Sequence, residues 1–219
     1  MEYNQDIIRK NYIFFIGLFL YIFIGLATIE FYGRDELHLV LNKHFSPFFD
    51  IFFKYFSKIG PLIFIVIALF FIIKKETFKS LLILFSAYGL NFIIGTFVKR
   101  NFFKHVHRPT YYFEQKGIDL HLIDGVSSQI PYTFPSGHTA ETFLLMLFIC
   151  MITKSKLIQI IAVILAITMA FSRIYLSKHF LIDTIGGALL GTFVLTLIHY
   201  IFQNKNSAFL NKKIFKKIS

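Results

Sequence analysis

Six apolar stretches, each closed by charged residues, set the pattern of the chain; they run at roughly 11–31, 58–73, 80–98, 138–153, 157–175 and 180–203. Lys10 and Glu30 enclose 19 residues without formal charge, Lys79 and Lys99 another 19, and Asp183 and Lys205 enclose 21. At about 1.5 Å rise per residue, roughly 20 helical residues cross a hydrocarbon core of about 30 Å. The pattern predicts an all-α, polytopic membrane protein with a six-transmembrane-helix bundle. The second and fourth stretches are short between charges, so Lys58 and Glu141 are expected at the interface or facing the protein interior. Residues 35–57 read as an amphipathic interfacial segment, because Phe45, Phe48, Phe49, Phe52, Phe53 and Phe56 alternate with Lys43, Asp50, Lys54 and Lys58. The longest polar stretch, 99–137, joins the third and fourth spans. No linker divides the chain, so 1–219 reads as one domain, with a basic, frayed amphipathic tail from about 204.

Composition narrows the class. Of 219 residues, 56% are hydrophobic and only 16% charged, which excludes an ordinary soluble domain. A formal charge of +11 raises the question of nucleic acid, but much of the excess flanks apolar stretches as membrane anchors do: Lys74, Lys75, Lys79, Lys154, Lys156 and the tail. A nucleic-acid partner is therefore not expected. Cys150 is the single cysteine and lies inside an apolar stretch, so no disulfide framework exists. With the N-terminus inside, 12 of the 23 basic residues fall on the inner side and 11 outside. That count barely decides, but the inner loops are short and carry only Glu2, Asp6 and Glu76 as acids. The expected arrangement has cytoplasmic termini and the polar loop on the outer face.

The candidate chemistry lies at the heads of three spans. Pro135-Ser136-Gly137-His138 opens the fourth. Ser136 is a plausible N-cap, Gly137 lets an anion approach the backbone, and the free first-turn amides attract negative charge. His138 then sits beside that anion. Ser172, Arg173, His179 and Asp183 surround the connection between the fifth and sixth spans. His179 and Asp183, four apart, are expected on one helical face, where the carboxylate can accept a hydrogen bond from one ring N–H and leave the other nitrogen with the nucleophilic lone pair. Arg173 can grip phosphate oxygens by two prongs. Lys99 and Arg108-Pro109 add cations suited to a doubly charged substrate. Taken singly, the first group reads as an ordinary helix cap and Lys99 as a snorkelling side chain. Ionisable residues held within a membrane weigh toward function.

Together these pieces resemble the signature of the type 2 phosphatidic acid phosphatase superfamily, which includes lipid phosphatases and vanadium haloperoxidases: K-x6-R-P, P-S-G-H and S-R-x5-H-x3-D. The second and third pieces match throughout. The first is approximate, since eight residues separate Lys99 from Arg108, and Arg100 or Lys104 are substitutes for Lys99. The resemblance covers residues 99–183 by motif. It implies a metal-free, cofactor-free reaction in which His179 attacks phosphorus, Asp183 orients His179, and His138 protonates the leaving group and later activates water. Lys99, Ser136, Gly137, Arg108 and Arg173 would hold the phosphate oxygens. The implied substrate is a membrane lipid phosphate: undecaprenyl pyrophosphate, phosphatidylglycerol phosphate, phosphatidic acid or a lipid A phosphate. The implied place is a bacterial inner membrane, with the site on the periplasmic side. Lipid phosphotransfer through the same phosphohistidine, vanadate-dependent halide oxidation, and a non-catalytic transporter or structural protein are the rivals.

Remaining features carry weaker expectations. His105, His107, Asp119, His121 and Asp124 have no specific metal-ligand spacing, and a gating loop is the better reading, with Tyr111, Tyr112 and Phe113 at the headgroup entrance. Glu141 falls on a similar face to His138. Gly186, Gly187 and Gly191 suggest close helix packing. His38, His44 and His199 read as interfacial decoration.

Overall fold

The computed structural model describes residues 7–75, 77–126, 132–205, 207 and 209–213. Its helices are α1 (Ile7–Lys10), α2 (Tyr12–Tyr32), α3 (Arg34–Lys43), α4 (Pro47–Lys75), α5 (Phe78–Asn101), α6 (Pro109–Glu114), α7 (Gly137–Thr153), α8 (Lys156–Tyr175) and α9 (Leu181–Gln203). All six apolar stretches are helical. Of these, α2, α5, α8 and α9 are each long and apolar enough to cross a bilayer. A fifth span is added if the two arms of α4 count as one. With 17 residues, α7 is shorter, so length and composition support four or five spans where six are expected.

The interfacial segment and the second span are not separate. Pro47–Lys58 and Gly60–Phe70 are two arms of α4 meeting at 49°, with Pro61 beside the bend. Proline removes an amide donor and crowds the preceding turn, which kinks a helix. The phenylalanines divide accordingly: Phe45, Phe48, Phe49 and Phe52 are exposed, whereas Phe53 is buried. Lys58 is exposed at the bend.

At the centre stands α7, with α4, α5, α8 and α9 packed around it. The run from Thr142 to Cys150 is buried on every side, including the only thiol, that of Cys150. In lipid, apolar burial alone does not drive helices together, because acyl chains are as apolar as leucine; close backbone approach does. The sequence provides for that between α7 and α9. A Cβ on Gly187 would collide with the Ser136 carbonyl, and one on Gly191 with the Ala140 backbone. Gly186 leaves room for the Phe134 ring. The expected small-residue packing is therefore real, and it lies inside the bundle. At the head of this contact the Ser136 amide donates to the Asp183 carbonyl at 2.9 Å.

The opposite end is basic. Lys79 is fully buried and its Nζ donates to the Gln203 carbonyl at 2.9 Å, a cation at a helix C-terminus. Gln159 ties α8 to the start of α2 through the Lys10 carbonyl and the Ile13 amide. The described part of the tail is not frayed. The Phe78 and Lys79 amides donate to the Lys212 and Leu210 carbonyls, and Phe209 stacks on Phe78. The expected basic tail beyond residue 213 lies outside the described residues.

Replacing Gly191 with alanine is expected to force α7 and α9 apart at a cost of about 1–3 kcal/mol. Thermal unfolding in detergent should show a midpoint lowered by several degrees. Gly89→Ala, where nothing lies within 4 Å of the added carbon, should not lower it.

Candidate active site

The start of α9 fixes the acidic residue. Asp183 occupies the third helical position, and its Oδ2 accepts from the Phe180 amide at 2.8 Å, closing the first turn. His179 therefore lies just outside the helix rather than on a shared helical face. Both side chains are almost fully buried, at 2% and 1% exposure. The ring and the carboxylate do not form the direct hydrogen bond expected. Nδ1 of His179 is 3.6 Å from Oδ2 of Asp183, and the Thr133 hydroxyl bridges them. Thr133 Oγ1 lies 3.0 Å from Nδ1 and donates to Oδ2 at 2.5 Å. Thr133 is fully buried, and its amide donates to the Val106 carbonyl at 3.1 Å. Two non-glycine residues with left-handed backbone stand beside this arrangement: Tyr132 (φ 76°) and Ser177 (φ 50°).

At the head of α7, Ser136 takes the N-cap position, but its side chain caps no amide; it accepts the Thr139 hydroxyl at 2.9 Å. Among the described residues nothing accepts from the Gly137, His138 and Thr139 amides. These donors sit at the positive end of a 17-residue helix.

Cations complete the ring. Arg173, in the last turn of α8 and 3% exposed, is held by a hydrogen bond from Nη1 to the Ser57 hydroxyl at the bend of α4. Arg108 is the residue before Pro109 at the start of α6. The Nε atoms of Arg108 and Arg173 are buried with no acceptor among the described residues. A buried guanidinium donor without a partner is costly, and an anion is what satisfies it. Lys99 is half-buried, its Nζ 3.8 Å from where a Cβ on Gly137 would lie, whereas Arg100 and Lys104 are exposed. Of the three candidates for the first cation, Lys99 turns inward. Lys178, half-buried beside His179, adds a fourth charge near Arg173 and Arg108.

Ser136, Gly137, His138, Lys99, Arg108, Arg173, His179 and Asp183 thus gather at one end of the bundle. His138 lies within the electrostatic reach of Arg173, His179, Lys178 and Lys99. Burial, and then the charges of Arg173, Arg108 and Lys99, hold the His179 pKa well below its ordinary 6.5, so its ring is neutral at neutral pH. Glu141 lies near Tyr88 and within the electrostatic reach of Lys99 and Arg173.

The described part of the loop between α5 and α7 is pinned on two sides. Asp35 accepts from Tyr112 Oη at 2.5 Å and Lys116 Nζ at 3.0 Å, and pairs with Arg34. Burial alone would raise its pKa, but the bonds from Tyr112, Arg34 and Lys116 outweigh it and hold the carboxyl at about 2. Arg34 also lies over the Tyr112 and Phe180 rings. On the other side His121 stacks on Phe45 and pairs with Asp50 at 3.0 Å, while Asp50 accepts from Tyr175 Oη. The residues weighed as a metal cluster do not converge: among the described residues no three His, Cys, Asp or Glu side chains are placed to hold an ion. Phe113 is buried against His38 and Phe180 rather than lining an entrance. His38 is not decoration either; it is 2% exposed and meets Ser177 at 3.2 Å beneath the His179 connection. His199 is likewise buried, and His44 bonds the Val40 carbonyl of its own helix end.

Sequence reasoning missed Thr133, Ser57 and His38. Thr133 stands two residues before Pro135, yet a threonine in a polar loop carries no pattern that marks it.

The family model described as PAP2 superfamily matches residues 78–207, more than half of the chain. The chain belongs to the PAP2 superfamily. It is 28% identical over 184 residues to the lipid A 4′-phosphatase of Porphyromonas gingivalis, covering 80% of this chain and 75% of that one. It is 25% identical over 203 residues to the undecaprenyl-diphosphatase of Sulfolobus acidocaldarius, covering 84% and 89%. The crystal structure of Aquifex aeolicus LpxE superposes with a TM-score of 0.63 at 26% identity, covering 76% of this chain and 93% of that one.

Removing the Lys99 charge with methionine is expected to weaken binding of inorganic phosphate at least tenfold, the scale of roughly 1.5–3 kcal/mol for a charged hydrogen bond. Calorimetric titration should find Arg100→Gln and Lys104→Gln within threefold of the parent.

Proposed function

We propose that this multi-pass membrane protein, one unit over residues 1–219, hydrolyses a phosphate monoester or pyrophosphate on a membrane lipid. The observation that carries the reading is the ring of inward cations and free helix-start amides around two imidazoles. His179 attacks phosphorus through Nε2; the P–N bond forms as the bond to the leaving oxygen breaks, and that oxygen takes a proton from His138. Water then attacks phosphorus, gives its proton to His138, and the P–N bond breaks to release inorganic phosphate. The substrate's negative charge, placed among the cations, favours a proton on His138. Lys99, Arg108, Arg173, Ser136 and the Gly137 amide hold the equatorial oxygens, where transition-state charge accumulates.

Among substrates, the names of the relatives put a lipid A phosphate and undecaprenyl pyrophosphate first. Phosphatidylglycerol phosphate and phosphatidic acid complete the panel. The site lies at the end of the bundle opposite Lys79, Lys10 and Lys212. Because basic loops stay cytoplasmic, that supports a site on the periplasmic side of a bacterial inner membrane. Transfer to a lipid or sugar acceptor uses the same phosphohistidine; a phosphorylated acceptor among the products would reveal it.

Phosphate release by the purified protein from these four lipids, with and without EDTA, tests the reading. Activity should persist in chelator, be inhibited by vanadate and vanish in folded His179→Ala; an active His179→Ala protein rejects the nucleophile.

The acidity of His179 gives a second expectation, in pH. Its folded pKa is depressed, so the unfolded chain binds the proton more readily. Its contribution to stability is complete above about pH 6.5 and declines as pH falls below that value. Unfolding midpoints between pH 5 and 8 should show this dependence, and His179→Gln should flatten it.

A further inference from the structure

We propose that Thr133 is a positioning residue for the nucleophile: its hydroxyl carries the orienting effect of Asp183 to His179. The inference rests on the reading of His179 as nucleophile and goes beyond it, because none of the three motifs includes Thr133.

Proton counting fixes the role of the hydroxyl. An ionised Asp183 offers only acceptors, and its Oδ2 already receives the Phe180 amide at 2.8 Å and the Thr133 hydroxyl at 2.5 Å. A threonine hydroxyl has one proton. Once that proton points to Oδ2, the oxygen facing His179 Nδ1 at 3.0 Å presents only lone pairs. Nδ1 must then carry the hydrogen, and the lone pair falls on Nε2, the nitrogen required to attack phosphorus. The direct separation of Nδ1 and Oδ2, 3.6 Å, is too long to impose this tautomer by itself. As the ring gains positive charge during attack, the Nδ1–H···Oγ1 bond strengthens and polarises the Oγ1–H···Oδ2 bond behind it. The carboxylate thus acts at one remove.

Position supports the role. Thr133 is fully buried, its amide is fixed on Val106, and Tyr132 before it adopts a left-handed backbone. Val106 is two residues from Arg108, so the segment that delivers the hydroxyl is tied to the segment that delivers a phosphate cation.

The test compares Thr133→Val, which keeps the shape and loses the hydroxyl, with Thr133→Ser, which keeps the hydroxyl. Both are assayed on the best lipid of the panel, alone and with Asp183→Asn. Thr133→Val is expected to lower kcat about 10- to 100-fold with KM changed less than threefold, the scale seen when an orienting partner is removed. Thr133→Ser should restore most of the rate. Asp183→Asn should cost much less in the Thr133→Val background than in the parent, because the pathway is already cut. Nitrogen-15 spectra of labelled His179 should show the Nδ1–H tautomer in the parent and Thr133→Ser proteins and a mixture in Thr133→Val. Should Thr133→Val not fold, Thr133→Cys, a weak donor of similar size, takes its place with the same expectations. Full activity without the hydroxyl, or independent effects of the two substitutions, overturns the proposal while leaving the nucleophile intact. An active, folded His179→Ala protein instead overturns the reading beneath it.

Discussion

The close crossing of α7 and α9 is the constraint on which the site depends. Each helix brings one imidazole segment, and neither segment alone gives more than a capped helix end. Gly187 and Gly191 let the two backbones meet, and the bond from the Ser136 amide to the Asp183 carbonyl sets their relative height. In a bilayer such contacts carry more weight than apolar burial, since lipid competes equally for apolar surface. Geometry at the head of the bundle is thus decided by what is missing from side chains some turns below it.

Charge at the head is organised around the same crossing. Arg173 arrives from α8 and is steadied by Ser57 at the bend of α4; Lys99 arrives from α5; Arg108 arrives at the start of α6. These elements therefore meet at one end of the bundle, and their cations are held near one another inside a low-dielectric environment. Such preorganised charge is most effective where charge accumulates during phosphoryl transfer, because no reorganisation is needed at that moment. The two tethers of the loop between α5 and α7, Asp35 with Tyr112 and Lys116, and His121 with Asp50 and Phe45, keep Arg108 and the segment around it in register with the helix heads.

Much of this was legible in the chain. Runs free of charge located five of the six apolar helices to within a few residues, and the glycine spacing of α9 marked a packing face. The second and third motifs carried their residues directly, because side chains close in sequence stay close at a helix start. The first did not: spacing left Lys99, Arg100 and Lys104 open, and only the rotation of α5 turns Lys99 inward. Residues distant in sequence were harder. Ser57 beneath Arg173, 116 positions away, and Thr133 between His179 and Asp183 follow from tertiary packing, which no local period encodes. The continuity of α4 was also hidden, since the charges through Lys58 set the start of the second span where the structure has a bend.

Cys150 offers a practical consequence. It is the chain's sole sulfhydryl, and it is fully buried in the central helix. Alkylation chemistry applied to intact protein therefore starts from a silent background. A cysteine introduced at any exposed position becomes the single reactive handle, and a membrane-impermeant maleimide can then report which side of the bilayer that position occupies.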